Sequence, residues 1–104
     1  DPRKMADNLR RLEQASWPLF EAGHVPMIGE WVALPVWQSA GGTTLGDALY
    51  DRIFYPAAER LLSMCDAVLR LPGDSNGADN DVRIARERGL PIYYRLEDVP
   101  GVGN

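Results

Sequence analysis

The sequence of 104 residues predicts one small α/β domain in three layers, in which helices cover both faces of a parallel sheet. Three observations predict this class. Short apolar runs typical of strands lie at residues 25–28, 67–71 and 91–94; apolar residues recur at helical spacing between them; and residues 66–94 read as strand, loop, helix and strand. The length allows a single domain over residues 1–104.

The first helix is predicted to begin at Asp1 and Pro2, because an acidic N-cap followed by proline is a common helix start. Pro18 should kink it, and Gly23 should end it. Its apolar stripe has spacings of three and four residues and consists of Met5, Leu9, Leu12, Ser16 and Leu19.

The next segment is predicted to hold a strand and then an irregular stretch. Residues 24–28 predict the strand, although Pro26 favours a sheet edge. Residues 29–42 contain Trp31 and Trp37 among prolines and glycines and predict no regular element. The two tryptophans are either a lid that stacks on a nucleobase or anchors in a core or interface; burial is the more usual role of tryptophan.

A second long helix is predicted over about residues 45–64. Thr43 or Thr44 is the expected cap, with Asp47 completing a capping box. Pro56 should kink the helix or divide it in two. The expected buried stripe is Leu45, Leu49, Ile53, Ala57, Leu61 and Met64.

The unit at residues 66–94 predicts a βαβ arrangement with parallel strands. The turn formers of residues 72–77 end the first strand, a helix follows over residues 78–88, and Gly89 is the expected stop before the second strand. The loop therefore lies at the carboxyl end of a parallel strand, where open α/β sheets bind ligands.

This loop has the composition of an anion or hydroxyl site. Free N–H groups at the start of a helix favour such ligands, and Gly77 lets the backbone approach them closely. Ser75 and Asn76 add short polar side chains, and Asp81 lies about one turn into the helix. A structural interpretation stands beside this one: Ser75 or Asp74 caps the helix, Gly77 makes the turn, and Asp79 and Asp81 complement the dipole.

Composition narrows the possible functions. A net charge of −4 and a pI near 4.8 argue against non-specific nucleic-acid binding. One cysteine, Cys65, and one histidine, His24, argue against a zinc site, and we expect Cys65 to be a buried, unreactive thiol. No long apolar run or signal-peptide pattern is present, so we expect no membrane association and a cytoplasmic location.

The C-terminal half resembles the nucleoside 2-deoxyribosyltransferase-like superfamily, and it is most similar to a small bacterial DUF4406-type branch. The residues that match its pattern are Asp66, Val68, Leu69, Leu71, Pro72, Gly73, Ser75, Gly77, Ala78, Asp81, Val82, Ala85, Gly89, Pro91, Ile92 and Tyr93. A second match consists of Asn8 and residues 22–26.

The resemblance implies a three-layer, flavodoxin-like sheet with a further strand ahead of Asp1. It also implies a glutamate nucleophile at the position of Asp81, which is one methylene shorter. A second acid is expected near Ala58 and Glu59, and this is another departure. The loop residues expected to hold a sugar or its phosphate are Gly73, Asp74, Ser75, Asn76, Gly77 and Ala78, with Asn8 facing the cleft and Trp31 or Trp37 covering the base.

The expected function is therefore an N-glycosidase or 2-deoxyribosyltransferase-like enzyme, without a metal or other cofactor, that acts on a nucleoside, nucleotide or sugar phosphate. One alternative is a non-catalytic binding module for the same ligands. Another is a structural protein with Trp31, Trp37 and Tyr55 at an interface. By resemblance, we also expect a homodimer or larger homo-oligomer.

Overall fold

The computed structural model describes residues 2–103. Within them the chain forms five α-helices and two short strands. In chain order these are α1 (Pro2–Gln14), α2 (Ser16–Glu21), α3 (Gly29–Ser39), α4 (Ala48–Leu62), β1 (Val68–Leu69), α5 (Asn76–Arg88) and β2 (Ile92–Tyr93), followed by a 3-10 turn at Leu96–Asp98. None of these helices combines the length and the apolar character that a membrane-spanning helix needs.

The prediction of a three-layer, flavodoxin-like parallel sheet was wrong. The chain is 59% helix and 4% strand, and its sheet is one parallel pair, β1 with β2. Residues 24–28 form no strand: Pro26 has no N–H to donate, and the Val25 side chain is 84% exposed. Packed helices, rather than a sheet buried on both faces, therefore provide most of the core.

The βαβ unit itself was predicted correctly. Val68 pairs with Ile92 and Leu69 with Tyr93 in parallel register, and α5 connects the two strands. The Ser75 hydroxyl caps α5 by accepting a hydrogen bond from the Ala78 N–H at 3.0 Å. Gly89 ends the helix with a φ of 71°, a left-handed conformation that glycine adopts readily.

The first predicted helix is divided into α1 and α2. Pro18 cannot donate to the carbonyl of Gln14, and α1 ends at Gln14. The proline therefore interrupts the helix four residues before its own position, and α2 ends two residues ahead of Gly23.

Residues 29–39 form a helix where the sequence predicted none. α3 begins after the extended residue Ile28 and contains Pro35 without ending there. Ala33 and Trp37, four residues apart, turn one face of the helix into the core. After α3 the backbone runs directly against the Trp37 indole, since a Cβ on Gly42 would lie 2.1 Å from Trp37 Cε2.

α4 runs unbroken through Pro56 and packs against α3 and α5. Asp47 is its cap, instead of the expected threonines, and accepts the Tyr50 N–H at 2.7 Å. The buried stripe lies one position along the helix from the predicted one: Tyr50, Phe54, Ala58 and Leu62. The residues of the predicted stripe at 49, 53, 57 and 61 are only partly buried, and Met64 is 77% exposed.

Candidate functional site

A groove of about 860 Å³ lies among the described residues. Most of its lining is apolar, and it lies between α1 and α2, the segment 24–28, the end of α4, and both strands. Its size and apolar character are those of small-molecule sites. Its charged carboxyl side chains are Asp66 and Asp81.

Asp81 is the most perturbed acid in the groove. Its Oδ1 atom is buried and has no hydrogen-bond partner in the described structure. The pKa of this carboxyl is raised to about 6, first by burial and then by the negative charge of Glu30, while the Arg70 guanidinium opposes both. A carboxyl with such a pKa can exist in both protonation states near neutral pH.

Two further groups, Glu30 and Tyr50, also have raised pKa values. Burial raises the pKa of Glu30, and a backbone hydrogen bond opposes that rise. The Tyr50 hydroxyl is buried without a hydrogen-bond partner, and its pKa is raised first by burial and then by the charges of Glu30 and Asp51. The negative charge of Glu30 thus raises the pKa of both Tyr50 and Asp81.

The Phe54 ring packs against the starts of both α3 and α5. Gly29, the first residue of α3, lies against one ring edge, where a Cβ would be 3.3 Å from Phe54 Cε2. Gly77 of α5 lies against the other edge, where a Cβ would be 2.7 Å from Phe54 Cε1. Glu30 follows Gly29 directly, and Asp81 lies one turn beyond Gly77 on the same helix face.

The structure separates the predicted ligand loop from Asp81. None of residues 73–78 lines the groove. Gly73 instead lines a second pocket of about 780 Å³, together with Asp79, Arg83 and Arg86 of α5. Asp81 follows Asp79 by two residues, about 200° around the helix, so it points to the opposite side of α5.

Two arginine side chains of the protein donate hydrogen bonds to the start of this loop. Arg11 donates to the Pro72 carbonyl at 3.0 Å, and Arg70 donates to the Gly73 carbonyl at 2.8 Å. Asn8 accepts a hydrogen bond from Arg11 at 3.2 Å, so it is linked to the loop through that arginine. Asn8 therefore lies near the loop, but it does not line the groove.

The remaining loop residues have structural roles or are exposed. Ser75 caps α5, as the alternative interpretation expected, and Ala78 donates to it. Asp74 and Asn76 are exposed, and Gly77 packs on Phe54. The close approach that favoured glycine at 77 is thus an approach to an aromatic ring of the same chain, rather than to a ligand.

The two tryptophans lie apart from the groove. Trp37 is in the core, 7% exposed, where its Nε1 donates to Asp47 at 3.1 Å, so a role in covering a base is excluded for it. Trp31 is 37% exposed, and its Nε1 donates to Glu13 of α1 at 2.9 Å. The alternative of a core anchor holds for Trp37.

The second acid is not where the resemblance placed it. Ala58 is buried, and Glu59 is exposed outside the groove lining. The carboxylate that acts on Asp81 is Glu30, which sequence reasoning missed because residues 29–42 predicted no helix. The available signal was local: acidic residues are enriched in the first turn of helices, and Glu30 lies in the first turn of α3.

The single histidine and cysteine have structural surroundings. The His24 Nε2 and the Pro100 carbonyl are hydrogen-bonded at 2.7 Å. The Cys65 Sγ contacts the Leu61 carbonyl, and burial raises the pKa of its thiol, which favours the unreactive form. No group of three or more His, Cys, Asp or Glu side chains among residues 2–103 is placed to hold a metal ion.

Comparison with known proteins identified no relative: no family model, curated protein or solved structure matches the chain. The resemblance to the nucleoside 2-deoxyribosyltransferase-like superfamily therefore stays a prediction.

Proposed function

We propose that this protein is an N-glycosidase or 2-deoxyribosyltransferase-like enzyme that acts at the anomeric carbon of a (deoxy)ribosyl compound. The groove would hold the compound, and Asp81 would be the nucleophile. The observation on which the proposal depends is a buried carboxylate oxygen of Asp81, unpaired and in the wall of an apolar groove.

The groove and the carboxyl suit this chemistry together. A volume of about 860 Å³ is sufficient for a nucleoside, and apolar walls favour its base and exclude water. With a pKa of about 6, Asp81 is ionised over protonated by about tenfold at pH 7. A desolvated, ionised carboxylate without a hydrogen-bond donor keeps its electron pairs free for attack.

The reaction has two steps. Asp81 attacks the anomeric carbon, the bond from that carbon to the base nitrogen breaks, and the base leaves with the electron pair and takes a proton from solvent. Water then attacks the same carbon, displaces the carboxylate and releases a proton to solvent in hydrolysis, or a second base does so in transfer. Asp81 is ionised again at the end.

The loop arrangement affects which substrate is expected. The predicted phosphate cradle lies outside the groove, and Arg11 and Arg70 occupy its carbonyls. We therefore expect nucleosides to be turned over at least as well as their 5′-phosphates.

The test is release of free base from a panel of nucleosides and nucleotides by the wild type, Asp81→Asn and Asp81→Glu. We expect Asp81→Asn to lose turnover by on the order of a thousandfold or more while still binding ligand, because the variant has no nucleophile. Asp81→Glu keeps the charge and should keep measurable turnover.

A matched control is Glu87→Gln. Glu87 is an exposed acid of α5 outside the groove lining, so its loss removes the same charge without touching the groove. Unchanged turnover in Asp81→Asn would move the chemistry to another residue. No base release by the wild type, with ligand-induced rises in melting temperature, would favour the non-catalytic binding module instead.

A further inference from the structure

The second pocket, of about 780 Å³, lies beyond the carboxyl ends of both strands. Residues 70–73 follow β1 directly, and Tyr94 follows β2 directly. The Arg70 N–H donates to the Tyr93 carbonyl at 2.7 Å, which keeps the two ends together. One face of α5 forms another wall of the pocket, since residues 79, 82, 83, 86 and 87 recur at helical spacing. Units of strand and helix commonly bind ligands in this place, and the volume is that of a small-molecule site.

The second pocket has an excess of positive charge. Its charged lining residues are three arginines and two acids, although the whole chain has a net charge of −4. Each acid pairs with one arginine: Arg70 with Asp79 at 3.0 Å, and Arg83 with Glu87 at 2.8 Å. Arg86 is exposed and forms no ion pair with another described residue. Its guanidinium therefore provides the positive charge that the pocket itself does not neutralise.

Arg86 and Tyr94 present hydrogen-bond donors side by side. The Arg86 Nη2 atom and the Tyr94 hydroxyl oxygen are 3.4 Å apart, which is long for a hydrogen bond, so neither group is strongly engaged. A guanidinium is a planar fork of N–H donors that fits two phosphate oxygens, and the phenolic O–H adds a further donor. The Tyr94 ring is 49% exposed, and Leu71 and Val82 add apolar lining to the same pocket.

We propose that this pocket binds a small-molecule phosphate monoester, with Arg86 and the Tyr94 hydroxyl on the phosphate and the apolar lining against the organic part. A monoester carries about −1.5 to −2 charges at neutral pH and three acceptor oxygens, which matches the unpaired cation and the adjacent donors. Arg83 supplies a second cation, because its ion pair with Glu87 is exposed and such pairs stabilise little. Asp81 lines the groove and not this pocket, so the binding does not depend on the proposed function.

Arg86 also has a structural role that the test must separate from ligand binding. It lies in the last turn of α5, where a positive charge complements the helix dipole. Arg88 lies in the same turn, is also exposed and does not line the pocket. Arg88→Gln therefore removes the same charge and the same kind of dipole partner as Arg86→Gln, without changing the pocket.

The test is an NMR titration with phenyl phosphate, and with phenol as the uncharged comparison, in the wild type, Arg86→Gln, Tyr94→Phe and the control Arg88→Gln. We expect the wild type to bind phenyl phosphate saturably, with amide shifts at residues 70–73 and 94 rather than at residues 24–28 of the groove. Affinity should fall by about tenfold or more in Arg86→Gln, because charge-assisted hydrogen bonds are lost, and by a smaller factor in Tyr94→Phe. Arg88→Gln should bind as the wild type does, and phenol should cause no shifts at residues 70–73.

Three results would overturn the phosphate pocket. The first is the absence of saturable binding by the wild type. The second is an equal loss of affinity in Arg86→Gln and Arg88→Gln, which would mean general attraction between charges. The third is a set of shifts confined to residues 24–28, which would place the probe in the groove. Affinity that falls in Arg86→Gln and not in Arg88→Gln supports the pocket, even if no base is released and the proposed function fails.

Discussion

At the scale of single residues, burial affects the pKa of the Asp81 carboxyl more than the helix dipole does. Its side chain is near the start of α5, where the helix dipole favours a negative charge. Asp81 is the sixth residue of that helix, and the dipole effect falls off within the first turn. Burial and Glu30 therefore raise its pKa instead of the dipole lowering it.

The raised pKa predicts the sign of a stability change. The pKa of Asp81 is about 6 in the folded protein against 3.8 ordinarily, so the stability that protonation gives is complete below pH 3.8 and is lost as the pH rises through 6. Asp81→Asn has no such loss. At pH 8 we expect the variant to be more stable by about 1 kcal/mol, a value reduced because the carboxyl is partly exposed.

Thermal unfolding at two pH values checks this prediction. About 1 kcal/mol corresponds to a melting temperature higher by about 4–8 °C in a domain of this size. The difference should shrink toward zero near pH 4. A variant that is less stable at both pH values would show that Asp81 is a favourable dipole partner, as its position in the sequence first suggested.

At the scale of elements, the start of α5 packs against the aromatic ring of Phe54. A Cβ at residue 77 would lie 2.7 Å from Phe54 Cε1, closer than side chains tolerate. We expect Gly77→Ala to lower the free energy of unfolding by about 1–3 kcal/mol through overpacking, although alanine is the better helix former. Chemical denaturation measures this free energy. The control is Asn76→Ala, at the exposed neighbouring position.

A double-mutant cycle assigns the effect to Phe54. Phe54→Leu makes room beside residue 77, so the double variant should lose less stability than the sum of the two single variants. Additive losses would mean that Gly77 is required for another reason. Ligand binding lost without any loss of stability would restore its predicted role in a site.

Elements with strong local signals were predicted well, and those that depend on neighbours were not. Ser75 and Gly89 fixed the ends of α5 through capping chemistry that is local to the chain. α3 was missed because Pro35 and the flanking glycines indicate a loop, while burial of Ala33 and Trp37 against α4 stabilises a helix. That contact is tertiary and leaves no local signal.

At the scale of the whole molecule, the same reasoning explains the wrong fold class. A strand pattern in the sequence indicates an extended, apolar segment, but a sheet also requires partner strands in register. The predicted strands at residues 67–71 and 91–94 pair with each other over two residues, whereas residues 24–28 have no partner strand. The candidate site was predicted in part: Asp81 lies in the groove, its expected loop does not, and Glu30 was missed.

Self-association remains a prediction, and the structure changes where the interface is expected. Trp37 is in the core, so it cannot be an interface anchor. Trp17 and Phe20 of α2 are 65% and 63% exposed, and their rings stack with centroids 6.3 Å apart. Exposed paired aromatic residues are typical of interaction surfaces.

We therefore expect the wild type to be a dimer or larger in light scattering at micromolar concentration, and Trp17→Ser with Phe20→Ser to be a monomer. Burying two large aromatic side chains is the main driving force, so removing both should weaken association strongly while leaving the core intact. Val36→Ser, at an exposed apolar position of α3, is the control and should stay associated. A monomeric wild type contradicts the prediction of a homo-oligomer; an associated double variant moves the interface away from α2.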